Sequence, residues 1–419
     1  MGVTRVVATP VVADAQAALL AGNIGVALYH AGSPAMPGLG AHLHESAVKH
    51  LPQTPSAASW DFLSIAIAAF AADRFVMRNV AEDGWTRVIA LDVAVGNPAL
   101  WTPQLPRLES ALRFLTGDIW QLSVRGGGSS PPPVAVRPTD RDAICLFSGG
   151  LDSLLGALKL LEQGRRPFLV SQGSTKEVGP QRELAEAIGL ANHRFDGNVN
   201  ERWRTPYEGS TRGRSLIFFA YGAVAASAHG LNEVIVPENG LIAINPPFTA
   251  RRMGSLSTRT THPYFLNQLE EAMAGVGLNV RLTNIFEGQT KGEMMAACAH
   301  ANLATLAATS YSCGKGKRIN AQCGRCVPCL IRQAAFHSSG TPDGTHYRAD
   351  LRTSAKNDDV MAARIATARA RQSTPEQFGR WATKSGPLPA DPARRGAITG
   401  AVTRGLVEMA DFLDGVAWR

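Results

Sequence analysis

The chain has 419 residues, of which 45% are hydrophobic and 18% are charged, and its formal net charge at pH 7 is +8. This length exceeds the roughly 250 to 300 residues that one hydrophobic core serves, and the apolar content excludes a disordered chain, so we predict two or three globular domains. Apolar stretches stay well below the roughly 20 residues of a membrane helix, and no run of five basic residues occurs, so we expect a cytoplasmic protein without direct membrane or nucleic-acid binding.

The first 138 residues are predicted to form a domain of their own. Residues 56–77 carry apolar side chains at helical spacing, and residues 87–95 alternate with a period of two, which predicts a helix and a strand. The Gly-, Ser- and Pro-rich segment 126–133 is the clearest linker in the chain. We therefore predict an α+β accessory or partner-docking domain over residues 1–138. The histidines of this domain match no ordered metal motif: His30, His42, His44 and His50.

Short apolar strands alternate with amphipathic helices over residues 139–340. The predicted strands cover residues 143–147, 168–170 and 234–236, and the predicted helices cover residues 154–161, 182–188 and 216–228. This alternation indicates an α/β domain with a parallel sheet flanked by helices, whose ligands bind at the carboxyl ends of the strands. Residues 341–419 are predicted to be a helical extension. Its apolar positions indicate a packing or partner surface: Val402, Leu406, Met409 and Leu413.

The first strand of the α/β domain runs into a glycine loop, Ser148-Gly149-Gly150-Leu151-Asp152-Ser153. Paired glycines let backbone amides approach an anion, the two serines add hydroxyl donors, and the following helix contributes the partial positive charge of its N-terminus. The Gly-Lys-[Ser/Thr] ending of a Walker A loop is absent. We predict that residues 148–153 hold a pyrophosphate group. Asp152 is predicted to bind Mg²⁺, with a plain helix cap as the alternative.

Four of the six cysteines lie close together in the sequence, at Cys313, Cys323, Cys326 and Cys329. Thiolates two residues apart can share one metal ion from a tight turn, and in a cytoplasmic chain metal binding is favoured over disulfides. We predict a closed zinc site with a structural role. An iron–sulfur cluster is the alternative occupant.

These motifs resemble those of a known family. Residues 148–153 are similar to the signature of the PP-loop ATP pyrophosphatases, whose fold is the adenine nucleotide alpha hydrolase type, and the cysteine spacing is similar to the zinc segment of the 7-cyano-7-deazaguanine synthases (QueC). Gly213-Arg214-Ser215 resembles the Gly-Arg-Asn of that family, with Ser215 replacing Asn, and Thr290-Lys291-Gly292-Glu293 resembles its Thr-Lys-x-Glu. The resemblance covers residues 142–336. Elongated QueC-like proteins of this kind resemble the QatC branch of the Qat anti-phage defence system.

The resemblance implies an enzyme that uses ATP and Mg²⁺. In the implied reaction, the carboxylate of a 7-deazaguanine attacks the α-phosphorus of ATP, pyrophosphate leaves, and an amine then displaces AMP. ATP would be bound by residues 148–153 and Ser215, and catalysis would involve Asp152, Lys291 and Arg214. Further cationic candidates are Arg259, Arg251 and Arg252. The added N-terminal domain suggests that the amine belongs to a companion protein of the same defence operon.

Three alternatives remain at this point. With ammonia as the amine, the product would be the nitrile of a 7-cyano-7-deazaguanine synthase, and the sequence leaves both amines open. A tRNA thiolase would need catalytic cysteines beside the nucleotide and an RNA-binding region, whereas four of the six cysteines are assigned to a closed metal site. A catalytically silent nucleotide-binding scaffold would tolerate a degenerate loop, but residues 148–153 are intact.

Overall fold

The computed structural model describes residues 2–173, 175–197, 207–209, 212–248, 259–315 and 321–419. Strands in these ranges form two five-stranded parallel sheets flanked by helices, which confirms the predicted α/β class. Within the same ranges, no helix combines the length and the apolar character needed to cross a bilayer.

The N-terminal sheet has the strand order β3-β2-β1-β4-β5. Its strands are β1 (Val3–Thr9), β2 (Ile24–Leu28), β3 (Gly38–Leu39), β4 (Val88–Ala94) and β5 (Ile119–Arg125), and every adjacent pair is parallel. The connecting helices are α1 (Val12–Leu20), α2 (Leu43–His50), α3 (Ala57–Phe75), α4 (Pro98–Trp101) and α5 (Leu105–Thr116). Because helices alternate with parallel strands, this segment has an α/β arrangement where we expected α+β.

The second sheet has the strand order β10-β9-β6-β7-β8. Its strands are β6 (Ala143–Leu146), β7 (Pro167–Ser171), β8 (Asn192–Arg194), β9 (Glu233–Ile235) and β10 (Arg281–Thr283). The helices of this region are α6 (Leu151–Glu162), α7 (Thr175–Glu186), α8 (Arg214–His229), α9 (Gly240–Ile244), α10 (Pro263–Gly275), α11 (Lys291–Ala296), α12 (Leu303–Thr309) and α13 (Val327–Ser339). The strands and helices predicted between residues 143 and 236 are all present. Their ends shift by no more than three residues, except that the helix predicted over residues 182–188 begins seven residues earlier, at Thr175.

Three more helices, α14 (Asp358–Gln372), α15 (Pro375–Ala382) and α16 (Pro392–Asp414), form the C-terminal extension. Their apolar side chains share one buried core with residues of α9 and α13. The four apolar positions predicted in this tail belong to that core: Val402, Leu406, Met409 and Leu413. Burial of this kind is the main source of stability for a helical segment, so the tail is packed onto the domain that carries the glycine loop.

The chain divides into two compact units, each built from several stretches of sequence. The first contains Met1–Ile144, His193–Val234 and Phe265–Leu282, and the second contains Cys145–Asn192, Ile235–Tyr264 and Thr283–Arg419. The domain boundaries at residues 138 and 340 stay predictions. In the first unit, α8 packs along α3, so a helix that follows the predicted linker is buried against the N-terminal segment.

Candidate functional site

The glycine loop lies directly after a fully buried strand, β6, and before α6. Gly149 has a φ of 74°, in the left-handed region, and a Cβ on it would come within 2.9 Å of Cγ of Gln181. The Nε2 of Gln181 donates to the carbonyl oxygen of Ser148 at 3.1 Å, and the backbone N–H of Tyr311 donates to the carbonyl oxygen of Gly149 at 2.9 Å. The loop is therefore held in place by residues from two other parts of the second unit.

The side chain of Asp152, in the first turn of α6, is the centre of a buried polar cluster. The Nζ of Lys291 lies 3.0 Å from its Oδ1, and the Nδ2 of Asn239 donates to its Oδ2 at 2.8 Å. The side chains of Asp152 and Lys291 are only 9% and 5% exposed. Burial raises the pKa of Asp152, but the charge of Lys291 and the hydrogen bonds to the carboxylate lower that pKa further, so the net shift is downward. The carboxylate is ionised at neutral pH.

A second carboxylate lies beside this cluster. The Nδ2 of Asn239 is 3.4 Å from Oε1 of Glu238, so one amide bridges Glu238 and Asp152. The backbone around Glu238 is fixed by Asn284, whose Nδ2 donates to the carbonyl oxygen of Glu238 at 2.8 Å. Carboxylate oxygens are the ligands that Mg²⁺ prefers, so this pair has the donor chemistry to hold that ion. Sequence analysis missed Glu238 and Asn239, although they directly follow the end of β9.

A helix N-capping motif positions Lys291. Thr290 is the N-cap of α11: its Oγ1 accepts from the backbone N–H of Glu293 at 3.0 Å, and Oε2 of Glu293 accepts from the backbone N–H of Thr290 at 2.9 Å. This reciprocal pair is a capping box, which satisfies two donors that a helix end otherwise leaves without a partner. The Thr-Lys-Gly-Glu sequence therefore places the lysine at the first helical position, beside Asp152.

Arg214 and Ser215 begin α8 and belong to the first unit, whereas residues 148–153 and Lys291 belong to the second. The Oγ of Ser215 donates to the carbonyl oxygen of Arg212 at 3.0 Å. The backbone N–H of Gly213 donates at 3.1 Å to Asp73, a carboxylate of α3. The segment that precedes Arg214 is thus tied to the N-terminal helix α3, and the roles implied for Arg214 and Ser215 stay predictions.

Of the further cationic candidates, only Arg259 lies among the described residues. Arg259 belongs to the second unit, where its carbonyl oxygen accepts from the backbone N–H of His262 at 3.3 Å, and burial lowers the pKa of its guanidinium group. Arg251 and Arg252 lie outside the described residues.

The four predicted cysteine ligands converge, and their sulfur atoms all lie within 4.8 Å of one another. Cys313 and Cys326 have an Sγ–Sγ distance of 3.7 Å, and Cys323 and Cys329 have one of 3.9 Å. Four sulfurs about 2.3 Å from one tetrahedral ion would be about 3.8 Å apart, so the observed distances fit a zinc ion. The same distances are far longer than the roughly 2.05 Å of a disulfide, and all four cysteines are free.

Buried polar side chains next to the cysteine cluster hold its segments together. The Nε2 of Gln322 donates to the carbonyl oxygen of Ser310 at 2.9 Å, and the Oε1 of Gln322 lies 3.6 Å from the Sγ of Cys329. Arg332 is fully buried on α13, and its Nη1 donates to Oγ of Ser310 at 2.9 Å. This shell ties the turn that carries Cys323 and Cys326 to the segment that leads into Cys313, as a structural metal site requires.

Comparison with known proteins gives relatives for about half of the chain. No protein family model matches it. A 7-cyano-7-deazaguanine synthase of Paracoccus denitrificans (strain Pd 1222) is 26% identical over 237 residues, which are 49% of this chain and 92% of that protein. Proteins of the same name are also 26% identical in Synechococcus sp. (strain CC9605), over 49% of this chain and 96% of the relative, and in Saccharolobus solfataricus, over 51% of this chain and 49% of the relative. These similarities support a QueC-like relationship.

Proposed function

We propose that this protein is a PP-loop ATP pyrophosphatase that adenylates the carboxylate of a 7-deazaguanine and transfers the acyl group to an amine. The observation that carries the proposal is the buried ion pair, 3.0 Å long, between Lys291 and Asp152, the aspartate of an intact Ser-Gly-Gly-Leu-Asp-Ser loop. The similarity to proteins named 7-cyano-7-deazaguanine synthase supports the substrate class.

In the proposed first step, residues 148–153 hold the phosphates of ATP through backbone amides and the hydroxyls of Ser148 and Ser153. A carboxylate oxygen of the substrate attacks the α-phosphorus, and the bond from that phosphorus to the bridging oxygen breaks, so that pyrophosphate leaves with the electron pair. Lys291 stabilises the negative charge that develops on the phosphate oxygens. Mg²⁺ held by Asp152 and Glu238 would supply further charge neutralisation when it is bound.

In the proposed second step, an amine nitrogen attacks the acyl carbon, the bond from that carbon to the AMP oxygen breaks, and the nitrogen loses a proton. We propose that the amine lies on a companion protein, as in an anti-phage defence system of the Qat type. The support for this is that the similarity to the 7-cyano-7-deazaguanine synthases of Paracoccus denitrificans and Saccharolobus solfataricus covers only 49% and 51% of the chain, which leaves about half of it for other roles such as partner binding. Ammonia is the competing amine. It would give the primary amide, and adenylation of the amide oxygen by a second ATP, with release of pyrophosphate and then of AMP and a proton, would give the 7-cyano-7-deazaguanine.

The zinc site in this proposal is structural. Four thiolates complete the coordination of a tetrahedral ion and leave no open position for substrate, so Cys313, Cys323, Cys326 and Cys329 would stabilise the segment next to α13. The same assignment argues against a tRNA thiolase, because it removes these four cysteines from the nucleotide chemistry.

Product analysis tests the two steps separately. The protein is incubated with ATP, Mg²⁺ and 7-carboxy-7-deazaguanine, with either ammonium or the proteins encoded beside it, and the products are identified by mass spectrometry. A companion protein whose mass rises by that of the acyl group supports the protein-amine reaction, whereas 7-cyano-7-deazaguanine formed only with ammonium supports the synthase alternative. If AMP forms in neither mixture, the proposed substrate class is wrong.

A further inference from the structure

The helix that carries Lys291 is too short to fix that lysine by itself. α11 has six residues, Lys291–Ala296, and Lys291 is the first of them. Isolated helices shorter than about 12 to 15 residues are marginal in water, so contacts with other elements must hold the first turn of α11. The position of the Lys291 ammonium beside Asp152 therefore depends on those contacts.

The C-terminal helix α16 supplies the contacts that hold the first turn of α11, through two charged side chains. The carboxylate of Glu408 accepts a hydrogen bond from the hydroxyl of Thr290, and its Oε2 accepts from the backbone N–H of Gly292 at 3.3 Å. The Nη2 of Arg404 donates to Oε2 of Glu293 at 3.1 Å and to the carbonyl oxygen of Gly288 at 3.0 Å. The residues on both sides of Lys291 are thus bonded to one side chain of α16.

The approach of Glu408 to α11 is unusually close. A Cβ on Gly292 would come within 2.6 Å of Oε1 and 2.9 Å of Oε2 of Glu408. Glycine at this position therefore permits the contact. A carboxylate at a helix N-terminus is also favoured by the partial positive charge of the exposed N–H groups. Burial raises the pKa of Glu408, while the hydrogen bonds from Thr290 and Gly292 oppose that rise.

The helix that presents Glu408 is itself rigidly packed. Leu406 and Met409, on either side of it, are fully buried in the core that α16 shares with α13. Glu408 thus projects from a fixed scaffold onto the first turn of α11. Sequence analysis assigned a packing or partner surface to this tail and no role in the site.

We propose that Glu408 is a positioning residue that holds Lys291 in register with Asp152 and the glycine loop, so that the C-terminal extension takes part in the active site. The proposal rests on the role of Lys291 in the proposed function. The contacts behind it run in sequence: Glu408 on α16 bonds Thr290 and Gly292, and Lys291 between them pairs with the Asp152 carboxylate.

Kinetics of Glu408→Ala provides the first test. Loss of both acceptor contacts should lower kcat for pyrophosphate release about 10- to 100-fold, because a displacement near 1 Å of a charge-stabilising group costs up to about 100-fold. The KM for ATP should change less than about threefold, since the loop that holds the phosphates is intact. Glu408→Gln keeps one acceptor oxygen and should fall between Glu408→Ala and the wild type.

Two control variants separate positioning from stability. Asp411→Asn changes a carboxylate on the same helix that bonds Arg371 instead, and it should keep the wild-type kcat. Leu108→Ala opens a cavity in the core of the first unit, which contains neither α11 nor α16, and it should lower the melting temperature while kcat stays near the wild-type value well below that temperature. If Glu408→Ala behaves like Leu108→Ala, Glu408 is merely structural and the proposal fails.

A second readout does not need catalysis. The reaction rate of Lys291 with an N-hydroxysuccinimide ester is measured by peptide mass spectrometry, with the exposed Lys384 as internal reference. Loosening of the first turn of α11 in Glu408→Ala should raise the labelling rate of Lys291 about tenfold and leave Lys384 unchanged, because a buried amine reacts only when its surroundings open. Equal Lys291 rates in both proteins would overturn the proposal. If the wild type releases no pyrophosphate, the proposed function fails, but this comparison still decides whether Glu408 positions Lys291.

Discussion

Replacement of Lys291 by methionine should destabilise the protein through Asp152. The methionine fills similar space but leaves a carboxylate that is only 9% exposed without its cation. Breaking a buried ion pair by removing one partner costs about 3–5 kcal/mol, because the remaining charge stays buried and uncompensated. The hydrogen bond from Asn239, at 2.8 Å, remains and keeps the expected loss toward the lower end of this range.

The loss should depend on pH in a defined direction. In the wild type, the lowered pKa of Asp152 in the folded state stabilises the protein above the pKa of the unfolded state, and this contribution is lost as the pH falls through the folded pKa. Without Lys291, only the hydrogen bonds to the carboxylate oppose the effect of burial, so the folded pKa of Asp152 should be higher in the variant than in the wild type. The difference in unfolding free energy between wild type and variant should therefore be largest near pH 8 and should shrink toward pH 5.

Urea unfolding of both proteins, followed by circular dichroism at pH 8 and pH 5, measures this difference. Effects common to both proteins, such as metal loss from the cysteine site in acid, cancel at each pH. The double variant Asp152→Asn/Lys291→Met removes the uncompensated charge and should be more stable than Lys291→Met at pH 8. A loss below about 1 kcal/mol for Lys291→Met, or a double variant no more stable than the single one, would refute the buried-pair argument.

Two other substitutions probe the metal site and the contact between α11 and α16. The purified protein should contain about one zinc ion per chain. Cys326→Ser should lower both the metal content and the melting temperature, because metal binding contributes to the free energy of folding. Elemental analysis that finds iron, or no metal, would reject the zinc assignment. Gly292→Ala places a Cβ 2.6 Å from Oε1 of Glu408, so it should displace that side chain and lower kcat as Glu408→Ala does. Its effect on stability should be small, because alanine favours the helix. Gly179→Ala, whose nearest neighbour would be 3.8 Å away, is the matched control, and equal kcat values for the two variants would contradict the contact argument.

Local sequence patterns predicted much of the second sheet and both motifs. The strands β6, β7 and β9 are short apolar runs next to glycine loops or amphipathic helices, and both signals act over neighbouring residues. The polar strand β8 (Asn-His-Arg) carries no such signal and was not predicted. The cysteine cluster was predictable for the same reason, because Cys323, Cys326 and Cys329 lie within seven consecutive residues. The parallel arrangement of the N-terminal sheet was not, since alternation in β4 identifies a strand but not the direction of its neighbours.

The parts of the site that sequence analysis missed depend on long-range contacts. Asn239 donates to Asp152 across 87 residues of sequence, and Glu408 accepts from Thr290 across 118. No periodicity or spacing rule links residues so far apart. One local signal was available for Asn239, because residues 237–240 follow β9 at the edge of a parallel sheet where ligands bind. Glu408 has no such signal.

Pyrophosphate release with 7-carboxy-7-deazaguanine tests the central claim most directly. The rate is measured with ATP and Mg²⁺ for the wild type and for Asp152→Ala, and a panel of unrelated carboxylates serves as reference. We predict release that requires the deazaguanine carboxylate and falls at least about 100-fold in Asp152→Ala. Because this variant leaves Lys291 buried without its partner, it should also lose about 3–5 kcal/mol of stability, so the rates are compared at a temperature where circular dichroism shows both proteins folded. Near-normal turnover by Asp152→Ala, or no preference for the deazaguanine over the other carboxylates, would contradict this account.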